Sequence, residues 1–198
     1  MSMGFEVYVR TISDAIIPDV LERLNTCGMT CDVHPNFSFS KGGFVPFKFC
    51  LENPADSELQ GKALLSGFEL SVSPFDLEAA REDMHRHLGK PSLLQRLFGK
   101  KPDRAPFATE AVDERLTPMR VQLSFIFSPH QDRFEQRFAQ LTAAAVAELA
   151  SGVMAYEDIW YPADATLEDA VEMVEVTEES LMEEGIPYHL FAGWPEAE

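Results

Sequence analysis

The sequence predicts an α+β protein, a mostly antiparallel sheet with helices packed on one face. Three observations carry that expectation. Short runs alternate apolar and polar residues with a period of two, as half-buried strands do. Several such runs follow one another across turn residues with no helix between them, which favours hairpins over parallel crossovers. Four longer stretches place apolar residues at helical spacing and carry end signals. A chain of 198 residues suits one domain, and it is long enough to bury a core without disulfides or a metal.

Phe5, Val7 and Val9 alternate with Glu6, Tyr8 and Arg10, which predicts a first strand. Ser13 is a candidate cap for a helix whose inner face is Ile17, Val20, Leu21, Leu24 and Cys27. Pro18 removes an early backbone donor, so a start near Ile17 is the alternative. Gly28 suits the helix end. Cys31 and Val33 read as strand. Phe37-x-Phe39 and the run Val45, Phe47, Phe49, Leu51 flank Gly42-Gly43, which predicts a hairpin. Pro46 within the second run calls for a sheet edge or a bulge. Phe68, Leu70 and Val72 form another alternating strand.

Asp76 caps a predicted helix to about Leu88, stopped by Gly89 and Pro91. Ser92 to Phe98 reads as a short helix, and residues 89–106 as a mobile loop or insertion. Val121, Leu123, Phe125 and Phe127 predict an interior strand. Ser128, Pro129 and Gln131 have the spacing of a capping box ahead of a helix that buries Phe134, Phe138, Leu141, Ala145 and Leu149, with Gly152 at its end. Val153–Tyr156 and Ile159–Tyr161 read as a hairpin turning at Glu157-Asp158. Thr166 and Asp169 are candidate caps for a last helix with Leu167, Val171, Val174 and Leu181 inward.

The charge is unevenly distributed. The formal net charge is −17. Residues 138–198 carry 14 acids and no Lys or Arg, whereas the first 137 residues hold 19 acids against 16 bases. Residues 81–104 are locally basic, with seven bases against three acids. A surface this acidic repels nucleic-acid phosphates and anionic membranes and attracts basic partners. No apolar run has the roughly 18–20 residues that cross a bilayer. The first ten residues read as strand rather than as a secretion signal. Three cysteines at no framework spacing favour free thiols. The expected location is therefore cytoplasmic.

Candidate sites each have a plain alternative. Cys27, Cys31 and His34 have ligand chemistry but no fourth ligand, and free cysteines are commonly buried core groups. Cys50 has no base beside it in sequence. His85 and His87 point about 200° apart on a helix, too far to share an ion. His130 sits at a predicted helix start, where an exposed histidine is ordinary. Leu93, Leu94, Leu97 and Phe98 beside Lys100 and Lys101 read as a membrane contact or as a helix packed on the core. No phosphate loop, nucleophile elbow or zinc-protease motif occurs, and no cofactor is implied.

The strongest candidate is the outward face of the last helix: Glu168, Glu172, Glu175, Glu179 and Glu183. It reads either as a solvated face or as a docking surface for a basic protein, because soluble surfaces normally mix signs. The aromatic tail, Tyr188, Phe191 and Trp194, offers an apolar anchor for such a partner or packs on the core.

Residues 134–170 include Ala-Glu-Leu-Ala-Ser-Gly-Val-Met, an acidic turn, Ile-Trp-Tyr and Leu-Glu-Asp-Ala. This stretch resembles a pattern in small bacterial proteins of unknown function, some linked to toxin–immunity systems. The resemblance covers under a fifth of the chain and transfers no catalytic residue. The charge distribution gives an acidic protein-binding module that docks on a basic protein partner, and the resemblance adds that this module is an immunity-type inhibitor. The alternatives are an enzyme with a site outside known motifs and an adaptor or assembly subunit.

Overall fold

The computed structural model describes residues 2–87, 106–157, 159–161 and 167–195. Eight strands form one sheet: β1 Met3–Val9, β2 Met29–Val33, β3 Gly43–Leu51, β4 Leu64–Pro74, β5 Val121–Phe127, β6 Val153–Tyr156, β7 Ile159–Tyr161 and β8 His189–Leu190. Their order in space is β2-β3-β4-β5-β1-β6-β7, and β8 adds to β4 at Leu64 and Leu65. All the pairings are antiparallel. The helices are α1 Ile17–Asn25, α2 Leu77–His87, α3 Glu110–Leu116, α4 Glu135–Leu149 and α5 Leu167–Glu183. The α+β class is as the period-two runs predict. The expected mobile segment lies outside the described residues, except for Pro106. So do Ser92–Phe98, Thr166, Asp158 and most of the basic stretch, and the side chains of His85 and His87 are likewise undescribed.

Alternation along the strands decides which face is covered. Phe5, Val7 and Val9 of β1 join Phe47, Phe49, Phe68, Leu123, Phe125 and Phe127 in one buried layer beneath α1, α4 and α5. Interior β5 contributes its odd-numbered residues to that layer, as expected. Helix α4 lies across it and is buried nearly all round from Arg137 to Val146, with alanines at 139, 143, 144 and 145 that allow close approach. Phe138 stacks on Phe47 with ring centroids 4.5 Å apart and meets Phe49 edge-on at 4.9 Å. Tyr8 points to the opposite face, where Phe75, Leu77, Leu116 and Met119 form a second, smaller cluster under α2 and α3.

Several local expectations change in the structure. Phe37 and Phe39 are not strand. The Phe37 N–H closes a turn onto the His34 carbonyl, and the Phe39 N–H donates to Asp14 Oδ1 at 2.9 Å. β3 therefore pairs with β2 across a longer loop rather than turning at Gly42-Gly43. Pro46 sits where that ladder ends. Its carbonyl accepts from the His34 N–H, and its donorless nitrogen faces the side where β2 has run out. Ser13 makes no side-chain cap, and α1 begins at Ile17 with Pro18 in its first turn. Ser128 does not open α4. Residues 128–131 make a turn, and the Glu135 carboxylate reaches back to the Ser128 N–H at 2.6 Å.

The end of α4 also differs from expectation. Ser151, not a glycine, takes the left-handed conformation at φ 50°. The Gly152 and Ser151 N–H groups close onto the carbonyls of Ala147 and Glu148 in a Schellman arrangement. Gly152 is required for a different reason: a Cβ there would lie 2.8 Å from the Tyr8 carbonyl oxygen. Helix α3, with no counterpart in the sequence reading, is capped by Thr109 and anchored by buried Asp113. The Asp113 carboxylate accepts from the Phe107 and Ala108 N–H groups and pairs with Arg81 at 2.6 Å. Asp76 caps α2 as predicted, through the Ala79 N–H at 2.9 Å.

Candidate functional site

Helix α5 holds its register through Ala170, Val174 and Leu181, which are buried against the core. That register leaves Glu168, Glu172, Glu175, Glu179 and Glu183 exposed together, within an arc of about 80°. None of the five carboxylates makes an ion pair or hydrogen bond among the described residues. Two apolar side chains are exposed on one side of the stripe: Val176 at its edge, 65% exposed, and Met173 further round toward α4, 43% exposed.

A second feature ties this face to the body of the protein. Arg133 and Arg137 stand one turn apart where α4 begins, and both are buried. Arg137 makes a two-pronged pair with Glu178 of α5, through Nε at 2.6 Å and a terminal nitrogen at 2.8 Å. Its other terminal nitrogen donates to the Cys27 carbonyl. Burial pushes the Glu178 carboxyl above its usual range, and Arg137 pulls it back. Arg133 pairs with Asp56 at 3.1 Å, donates twice to the Ile186 carbonyl and lies over the Tyr188 ring. Asp56 serves two structural ends. Its other oxygen caps the short helical turn Ser57–Leu59 through the Glu58 N–H at 3.0 Å. Those hydrogen bonds, from Glu58 first and then from Arg133, hold its carboxyl below the ordinary value. The loop is also pinned by the Glu52 N–H on the Gly28 carbonyl at 3.0 Å. Between this loop, α4 and α5 lies a cavity of about 390 Å³, within the size range of ligand-holding pockets.

No protein-family model, curated protein or solved structure matches the chain.

Trp194 is not part of the α5 surface. Phe191 lies against Lys48, which alternates with buried Phe47 and Phe49 and so projects from the opposite sheet face. Trp194 packs on Phe191 at 5.2 Å and on His34 at 5.3 Å. Of the tail aromatics, only Tyr188 packs against the main core. The structure thus separates Trp194 from the five glutamates.

The remaining candidates are placed as follows. Cys27 and Cys31 are buried, and burial raises both thiols, Cys31 to about 12. Their chemistry is that of inert core thiols rather than thiolates. Cys31 points into the core, whereas the His34 ring accepts from the Asn36 N–H and meets Trp194 on the far face. Among the described residues no three potential ligands converge on one point. His130 is exposed and stands 3.9 Å from Glu184. No helix among the described residues is long and apolar enough to cross a membrane.

Sequence reasoning missed Arg133, Arg137, Asp56 and Glu178. One signal was present. Glu178 falls on the same helical face as Val174 and Leu181, and Arg137 lies beside Phe138 and Leu141 on a helix of otherwise apolar register. A charge on each of two buried faces implies that the two charges meet.

Proposed function

We propose that this chain is an acidic protein-binding module whose α5 face docks on a basic protein. The observation that supports the reading is the stripe of five exposed glutamates, unpaired among the described residues, with exposed Val176 and Met173 on one side of it. Like charges three or four apart on a helix cost a few tenths of a kcal/mol per pair, so the four such pairs here cost about 1–2 kcal/mol. Complementary charge on a partner reverses the sign of that cost and raises the association rate, most strongly at low salt. Val176 and Met173 give the apolar contact that charge lacks, in the place the sequence reading gave to Trp194. The immunity-type form of the reading makes the partner a toxin, which the short sequence resemblance favours.

The test replaces Glu172, Glu175 and Glu179 with Gln together and follows binding to the protein captured from native lysate at low salt. The folded triple variant should associate more slowly, and its rate should depend less on salt. Unchanged kinetics would return α5 to an ordinary solvated face. For the immunity form, co-expression should relieve growth inhibition by the captured partner. A captured partner that is harmless to the cell would refute that form alone.

A further inference from the structure

The cavity beside α5 separates its charges in a specific way. The two buried arginines on its wall are already neutralised, Arg137 by Glu178 and Arg133 by Asp56. Three other carboxylates line it without ion pairs or hydrogen bonds among the described residues: Glu52 from the loop on one side, and Glu175 and Glu179 from α5 on the other. Leu51, Leu59, Phe134 and Met182 supply apolar wall. The result is a pocket with a neutralised, partly apolar interior and negative charge on two opposed sides.

We propose that this cleft receives one arginine side chain of the basic partner, an inference that rests on the docking reading of α5. The chemistry selects that group. A side chain entering here needs an aliphatic stem to lie along Leu51, Leu59 and Met182, and a cationic head with several donors for carboxylates on two sides. A guanidinium presents five donors in one plane and is more weakly hydrated than an ammonium, so it enters a half-enclosed site at lower cost. The Arg137–Glu178 and Arg133–Asp56 pairs hold the two walls at fixed separation, so the receptor is formed before the partner arrives.

The experiment measures affinity for a capped hexa-arginine peptide by calorimetry at low salt. It compares three variants. Glu52→Gln with Glu179→Gln removes two charges at the cleft. Glu168→Gln with Glu183→Gln removes two charges from the same surface away from it. Ala55→Trp, at an exposed position on the rim, obstructs the cleft without changing charge. The cleft pair and Ala55→Trp should each weaken binding about tenfold, and the remote pair no more than about threefold. If the two charge variants weaken binding equally and Ala55→Trp has no effect, the cleft is not the receptor, while the docking reading of α5 stands. If the peptide does not bind, or no variant changes its affinity, both inferences fail.

Discussion

Replacing Arg137 with Ala tests the link between the core and the acidic helix. Arg137 is 4% exposed, and its partner Glu178 retains 14% of its side-chain surface. The substitution removes two short charged hydrogen bonds and the donor to the Cys27 carbonyl, and it leaves a carboxylate facing the core. Breaking a buried pair from one side costs about 3–5 kcal/mol. Water reaching Glu178 from the adjoining cleft draws the value toward the lower end. On a chain of this size each kcal/mol shifts Tm by about 2–4 °C, so the expected drop is about 6–20 °C. The pH dependence distinguishes this cause from simple loss of packing. Without Arg137 the Glu178 carboxyl rises further above its unfolded value. A carboxyl raised in the folded state contributes stability below the unfolded pKa and loses it as pH rises through the folded one. The deficit should therefore shrink between about pH 7.5 and about pH 5. The double change Arg137→Met with Glu178→Leu should recover most of the loss, because an apolar pair needs no compensating charge. Urea unfolding followed by circular dichroism at both pH values is the assay. Wild-type stability, or a deficit independent of pH, would refute the assignment.

Phe138→Ala removes a ring that is fully buried between Phe47 and Phe49, and should cost about 3–5 kcal/mol in the same assay. Gly152→Ala should destabilise by about 1–3 kcal/mol, since the new methyl meets the Tyr8 carbonyl and Val9. Ser151→Gly should stabilise by about 1 kcal/mol by relieving the left-handed residue; a reversed order for this pair would refute the account of the α4 end. Burial raises the carboxyls of Asp132, Glu135 and Glu178 above their ordinary values. The wild-type unfolding free energy should accordingly increase as pH falls from neutrality toward about 4, where the unfolded carboxyls titrate. Asp56, whose carboxyl is lowered, acts in the opposite sense only at lower pH. A stability maximum above neutral pH would count against this assignment.

Elements whose burial is set by their own periodicity were legible. β5 alternates cleanly, Asp76 obeys local capping chemistry, and β6 and β7 pair as their adjoining short runs suggest. Elements set by distant partners were not. The Phe37-x-Phe39 alternation matches a strand, yet Asp14, far back in the sequence, holds the Phe39 N–H in a turn. Ser128-Pro129 has the spacing of a helix start, but buried Asp132 accepts from the Phe134 N–H and delays α4 to Glu135. Helix α3 is short and mostly polar, and its anchor is the Asp113–Arg81 pair, which no local pattern announces. The same division holds for the site. The glutamate stripe follows from helical spacing alone, whereas the cleft depends on a loop near residue 56 meeting two helices from the second half of the chain.

The two faces of the sheet differ in how their charges are paired. α5 belongs to the core layer on one face, while α2 packs on the other, where Arg81 pairs with Asp113 and Glu78 and Arg86 pairs with Asp83. Bases and acids are thus interspersed around α2, whereas the α5 stripe holds acids alone. A stripe of one sign draws an oppositely charged partner toward its own face before contact. Orientation matters here because the proposed receptor occupies one side of α5 only. The Arg137–Glu178 pair fixes which side that is, since a rotation of α5 by one residue would turn Glu178 from the Arg137 guanidinium and Glu175 from the cleft. The buried charges and the exposed ones are therefore coupled in position: the pair in the core aims the stripe at the surface.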